Sequence, residues 1–241
     1  MGKLQNPWIQ TATGIALDLM APTSAMINFD IDIAEALARL PRFTGHVRSG
    51  PYSVAQHCCL AADAALEETR DARIAAYVLL HDAHEAYIGD IATPVAAAMA
   101  VHSQNSQIPC AYEFRDAYAQ ATASGLRRMK MTLDGAIHAA AGLPWTPEPH
   151  IGRLIKSYDI RMLAAEKRQL LGTSPQPWAP EIESAAPIRM VGKIGVWPWT
   201  KAAEQWRRRA HQLLPALAPR SDVARSPAST PVGNAARHTH P

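Results

Sequence analysis

Leu79-Leu80-His81-Asp82-Ala83-His84-Glu85-Ala86-Tyr87-Ile88-Gly89-Asp90 runs an apolar helix straight into adjacent side chains of metal-ligand type. Imidazole and carboxylate together are the donors that a hard or borderline divalent cation takes. Read as one helix over Asp71 to Tyr87, the residues Ile74, Val78, His81, Asp82 and Glu85 recur at helical spacing and share a face. The apolar members turn that face to the core, so the polar members point into the core or into a cleft cut in it. Unpaired buried charge costs more than one helix supplies. A bound cation and a mixed polar network are the two explanations.

The pattern recurs twice. Ser53 to Glu68 reads as a helix with Val54, His57, Cys58 and Ala61 on one face, and Ile151 to Leu171 as another with Ile155, Asp159, Met162, Leu163 and Glu166. Taken singly, a His on an apolar face is more often a hydrogen-bonded core residue, and a buried Asp is often a cap or half of an ion pair. Three helices that each bring an acid or a His to an apolar face are harder to dismiss.

Around these helices the chain reads as follows. Trp8–Thr11 and Ile15–Leu19 flank Ala12-Thr13-Gly14 as a short hairpin. Asp30 to Leu40 is predicted helical and stops at Pro41, and the Arg42–Pro51 loop reads equally well as a solvated turn or a phosphate lip, since Arg suits phosphate geometry. Gly89 is placed to end the central helix. Pro94 opens an Ala-rich helix to about Met99, and the polar stretch Val101–Pro109 breaks the pattern. Separate helices are predicted over Tyr112–Met129 and Leu133–Ala141, and a last one to Leu214 with Thr200 as its N-cap. Gly172–Pro187 is a loop, and Arg207-Arg208-Arg209 reads as a solvated face before it reads as a nucleic-acid contact. Pro219–Pro241 has almost no aliphatic residues and is expected to be disordered.

Composition bounds the rest. The 241 residues are 48% hydrophobic and only 6% aromatic, ample for a core and suited to helices. A net charge of +3 is too small to imply nucleic acid as a partner. The three cysteines, two of them adjacent, make no disulfide framework, and a reduced cytoplasm is the natural compartment. Cys58, beside His57, reads as packing and not as a thiolate ligand. No stretch reaches the length of a membrane span, and the N-terminus carries no signal pattern.

His57, His81-Asp82 and Asp159 in that order resemble the H…HD…D signature of the HD-domain metal-dependent phosphohydrolases. The likeness extends to the small bacterial and phage members, the 5′-deoxynucleotidase and dATP triphosphohydrolase group. Arg42-Phe43-Thr44-Gly45-His46 followed by Tyr52-Ser53-Val54-Ala55-Gln56-His57 is similar to their opening segment. Gly89-Asp90-Ile91-Ala92-Thr93-Pro94 is similar to their G-D-x-x-T-P segment, and Lys156 to Glu166 to their K-x-x-D-x-x-x-x-x-x-E helix. The likeness runs from about Trp8 to about Leu214. The chain has Gln56 where the group often has Glu before the first ligand, and Phe43 where members that select deoxyribose often have Trp.

The resemblance implies an all-α HD-domain helical bundle over residues 1–218, with a hairpin at 8–19, helices within 30–214 and a disordered tail at 219–241. It implies one divalent ion (Mn, Co, Fe, Zn or Mg) on His57, His81, Asp82 and Asp159. Glu85 would be the catalytic acid/base, Asp90 a second acid, and Arg42 and Lys156 the phosphate ligands. The expected substrate is a small nucleotide, with hydrolysis of a deoxynucleoside monophosphate ahead of triphosphate release and of a non-catalytic nucleotide-binding module. Arg39, Arg48 and Lys130 are further cations that a triphosphate could use. The Gly-Tyr-Pro motif of the cyclic-dinucleotide enzymes is missing after the HD pair. A homo-oligomer is left open.

Overall fold

The first described element is the predicted hairpin. Strands β1 (Trp8–Gln10) and β2 (Ala16–Asp18) pair antiparallel, Ile9 opposite Leu17, around a turn with Gly14 at φ +84°. The computed structural model describes residues 6–104, 115–190 and 192–217. The expected disorder of 219–241 therefore lies outside the described residues, as do Cys110 and most of the polar stretch before Pro109. Asp32 ties the hairpin down, taking the Thr13 amide at 2.9 Å and the Thr13 hydroxyl at 2.6 Å.

Asp32 belongs to a wide π-type turn, Phe29–Ile33, which leads into α1 (Ala34–Arg39), so the predicted helix begins irregularly. The loop that follows is pinched at its base. Arg42 N–H donates to the Tyr52 carbonyl at 2.8 Å and Val54 N–H to the Leu40 carbonyl at 3.0 Å. Arg42 is thereby fixed at the neck of the loop, next to the helix α2 (Val54–Thr69). The Ser53 hydroxyl caps α2 by accepting from the Gln56 amide.

Asp71 caps α3 (Ala72–Leu80), accepting from the Arg73 and Ile74 amides. Here the structure corrects the expectation of one helix to Tyr87. The α-helix stops at Leu80, and His81 to His84 turn tightly through short-range bonds, Ala83 N–H to Leu80 O and Glu85 N–H to Asp82 O. A single short turn, α4 (Glu85–Ile88), follows and ends at Gly89 with φ +81°. Tighter winding brings residues three apart, such as Asp82 and Glu85, to the same side of the axis.

Three further helix boundaries differ from expectation. Helix α5 (Thr93–Gln104) passes through the supposed break at Val101. Helix α6 (Arg115–Ala141) is continuous where two helices were expected; Lys130, Met131 and Thr132 hold a helical path without a breaker. After α7 (Pro149–Leu170), the Gly172–Pro187 loop contains a short helix, α8 (Pro180–Glu183). Helix α9 (Trp199–Leu213) begins after Pro198, so Thr200 lies inside it and is not its cap. Pro198 itself stands at the N-cap position and makes no side-chain cap.

Helix α2 is the hub, packed against α1, α3, α7 and α9. Ala55, Ala61, Ala62 and Ala65 on its surface are all buried, and small side chains let helix axes approach closely. Trp206 of α9 closes the core, fully buried and stacked on Phe29. The Arg207-Arg208-Arg209 run is absorbed internally: Arg209 grips Asp63, Arg208 bonds Gln205, and Arg207 lies 3.7 Å from Glu35. No helix among the described residues is long and apolar enough to cross a membrane.

Candidate metal centre

Helices α2 and α7 and the turn after α3 bring four predicted ligands together. The His57 and His81 Nε2 atoms are 3.2 Å apart. His57 Nε2 is 3.8 Å from Asp82 Oδ2 and 3.7 Å from Asp159 Oδ1; His81 Nε2 is 3.2 Å and 3.8 Å from the same atoms. Donors about 2.1 Å from one divalent ion stand roughly 3.0 Å apart in adjacent octahedral positions and roughly 3.4 Å apart in a tetrahedron. Two of the observed separations, at 3.2 Å, fall in that range, and the three at 3.7–3.8 Å are somewhat wider.

The outer nitrogens of both rings decide what the inner ones can do. His81 Nδ1 donates to the Val78 carbonyl at 2.7 Å, and His57 Nδ1 to Glu166 Oε1 at 2.6 Å. A carbonyl can only accept, so the His81 tautomer is set with its Nε2 free to ligate, and Glu166 does the same for His57. Two such nitrogens face each other across 3.2 Å. Lone pairs at that distance repel unless a cation or a proton lies with them.

The surrounding charge is arranged to hold a cation. Burial works against the His81 imidazolium, but Asp82 and then Asp159 outweigh it and lift His81 well above its ordinary range. Burial pushes Asp159 up, yet His81 and His57 bring it down to about 2. Asp82 is likewise lowered, against burial, by His81, Arg42 and His57. In the metal-free chain a proton on His81 takes up the field that a metal ion would fill.

Glu166 is the functional residue to which sequence reasoning gave no role. It is fully buried and accepts from the Tyr52 hydroxyl at 2.7 Å as well as from His57. Its second oxygen lies 3.4 Å from Arg42 Nε, an ionic contact short of hydrogen-bond geometry. Burial raises Glu166, but Arg42, His57 and Tyr52 outweigh it and keep the carboxylate ionised. The available signal was its place two helical turns after Asp159, on the same face. The family's glutamate before the first ligand would have been the alternative; Gln56 turns elsewhere, donating to the Gly195 carbonyl at 2.7 Å and accepting from the Trp197 amide at 2.9 Å.

The remaining predicted residues divide. Arg42 is buried, with Nη1 3.2 Å from Asp82, and the carboxylates around it overcome its desolvation and hold it charged. Glu85 is 5% exposed and its Oε2 has no hydrogen-bond partner. Burial, then the charges of Asp82 and Asp90, push the Glu85 carboxyl up to about 9. Asp90 is raised too, chiefly by burial, and feels Arg42, Asp82 and Lys130. Lys156 is exposed and reaches Asp159 at 3.6 Å. Of the extra cations, Lys130 acts through its charge on Glu85 and Asp90, whereas Arg39 is engaged by Glu35 and Trp199, and Arg48 lies against Gly172.

Two other groups of donors overlap this centre. Cys58, His81 and Asp82 offer atoms within 4.8 Å of one another, and so do Asp82, His84 and Glu85. Burial pushes the Cys58 thiol up, so it stays a packing residue.

The fold and the cluster define a largely helical protein whose buried His and carboxylate groups can bind a metal ion. No family model matches the chain. It is 30% identical over 174 residues to an uncharacterized protein of Rhodobacter capsulatus, spanning 71% of this chain and 76% of that one. It is also 30% identical over 167 residues to the uncharacterized protein YfdR of Escherichia coli, spanning 69% and 74%. The chain belongs to the same family as these two bacterial proteins.

Proposed function

We propose that the chain is an HD-type metal-dependent phosphohydrolase that removes phosphate from a deoxynucleoside 5′-monophosphate. The observation that carries this reading is a pair of imidazole Nε2 atoms 3.2 Å apart, each 3.2–3.8 Å from one oxygen of Asp82 and of Asp159, with both rings held by their outer nitrogens. His57, His81, Asp82 and Asp159 would hold a single divalent ion, which when bound would supply Lewis-acid activation of water and of a phosphoryl oxygen.

The chain's own groups do the rest. Glu85, protonated by its buried setting, is poised to exchange a proton at its unpartnered Oε2. Arg42 opposes charge on the phosphoryl oxygens, and its ties to Asp82 and Glu166 fix its position beforehand. Lys156 offers a second cation from the solvent side. Asp90 stands near Glu85 as a further acid.

A triphosphohydrolase is the runner-up. It needs extra cations for two more phosphates, and of the three candidates only Lys130 acts through its charge on the site acids. That favours the monophosphate. Purified protein loaded with Mn or Co should release orthophosphate from deoxynucleoside monophosphates in a panel that includes ribonucleotides and triphosphates. Release of triphosphate would install the runner-up. No turnover despite bound metal would leave a nucleotide-binding module.

A further inference from the structure

A cavity of about 310 Å³ opens beside the candidate metal centre. Its inner wall is His81, Asp82 and Asp159, and its outer wall is Tyr77, His138, Trp145, Pro147, Gly152 and Ile155. Small-ligand sites begin at about this size, which suits one mononucleotide and leaves no room for a polymer. The outer wall is an aromatic pile. His138 stacks between Tyr77 and Trp145, with ring centroids 5.4 Å and 4.7 Å away. Trp145 nevertheless remains 39% exposed. Gly152 lies in the first turn of α7, where glycine is a poor helix residue, and a Cβ built on it meets nothing within 4 Å. Its lack of a side chain leaves space open.

One charged group faces this space from α6. Asp134 lines the cavity, and His84 Nδ1 donates to its Oδ1 at 2.9 Å. Among the described residues nothing bonds Oδ2. The Asp134 backbone carbonyl is held as well, by His138 Nδ1 at 2.7 Å. A carboxylate fixed this way, with one oxygen spare, asks for a hydrogen-bond donor from the ligand.

We propose that this cavity receives the nucleobase of the substrate, stacked on Trp145, and that Asp134 selects bases with an exocyclic amine over their oxo counterparts. The inference rests on the phosphohydrolase reading for the position of the phosphate. The cavity is contiguous with the metal ligands, so a phosphate held there places its base in the aromatic end. One hydrogen bond to a charged acceptor predicts about a tenfold preference for deoxyadenosine over deoxyinosine monophosphate. Asp134→Asn keeps the acceptor for His84 and puts a donor in the spare position, which should erase or invert that preference.

The decisive variant is Gly152→Phe, which adds a ring to open space and removes a glycine from the first turn of α7. The ratio of kcat/KM for deoxyadenosine monophosphate to that for deoxyribose 5-phosphate, which has no base, should fall at least tenfold. An unchanged ratio in an enzyme that hydrolyses both esters overturns the base site and leaves the phosphohydrolase standing. If the metal-loaded wild type hydrolyses neither ester, deoxyadenosine itself is titrated while tryptophan fluorescence is followed. Quenching that is lost in Trp145→Phe and in Gly152→Phe supports the base site without the hydrolysis; no quenching overturns it.

Discussion

The two flanks of the metal centre are built on opposite principles. On one, Glu166, Tyr52, His57 and Arg42 form a closed network in which a fully buried carboxylate meets two hydrogen-bond donors and a guanidinium. On the other, Glu85 is almost as deeply buried, its Oε2 has no partner, and two more carboxylates stand nearby. Burial alone does not set the charge of a carboxyl: the first is held ionised and the second neutral. Each acid has an Oε2 without a hydrogen-bond partner, but two donors on Oε1 and the Arg42 guanidinium hold Glu166 in place, while Glu85 keeps a proton available.

The sharpest way to break this contrast is to remove each acid in turn. Glu166→Ala strands the buried Arg42 charge and frees the His57 ring. It should cost about 4 kcal/mol in urea unfolding and weaken metal binding. Glu85→Gln should act in the other direction on metal-free protein. The Glu85 carboxyl is raised from 4.5 to about 9, so its contribution to stability is present below pH 4.5 and lost as pH rises through about 9. The amide stays neutral, so at pH 8 the variant should be more stable by on the order of 3 kcal/mol. The same variant should keep its metal and lose turnover about 100-fold or more. Equal destabilisation by both substitutions would sink the distinction.

Two smaller effects sharpen it. Tyr52→Phe deletes one of the hydrogen bonds to Glu166 and should cost about 2 kcal/mol, measured by the same unfolding curves. At the centre itself, His81 is raised, so the metal-free site carries a proton at neutral pH that a metal ion must displace. Apparent metal affinity should therefore rise with pH, by up to about tenfold per unit for one proton, until His81 is neutral. Calorimetry in buffers of different ionisation enthalpy would show the released proton, and a flat profile would mean that His81 does not ligate.

Sequence spacing alone brought His57, His81, Asp82 and Asp159 to inward faces, because helical periodicity is a local property. It also placed the start of α2 near Ser53 and the stop at Gly89. It did not show the tight turns at His81–His84, since the helical spacing of apolar and polar residues runs on through them. The network role of Glu166 was hidden for a different reason: its partner His57 is 109 residues away, and only the packing of α7 on α2 joins them. Asp134 and Trp145 stood in stretches with no motif, and their meeting across a cavity depends on how α6 and α7 close.

Gln56 has a further consequence. It precedes the candidate ligand His57 in the chain, yet both of its hydrogen-bond partners come from the backbone of Gly195 and Trp197. A nascent polypeptide leaves the ribosome with both histidines long before those two peptide groups exist. Until they arrive, the buried amide beside the first ligand has no protein partner, and Asp159 and Glu166 also come late. Metal loading is therefore expected to follow synthesis of the final helix, not to nucleate the fold. Chains released before Gly195 should bind the ion weakly even though every ligand has been made.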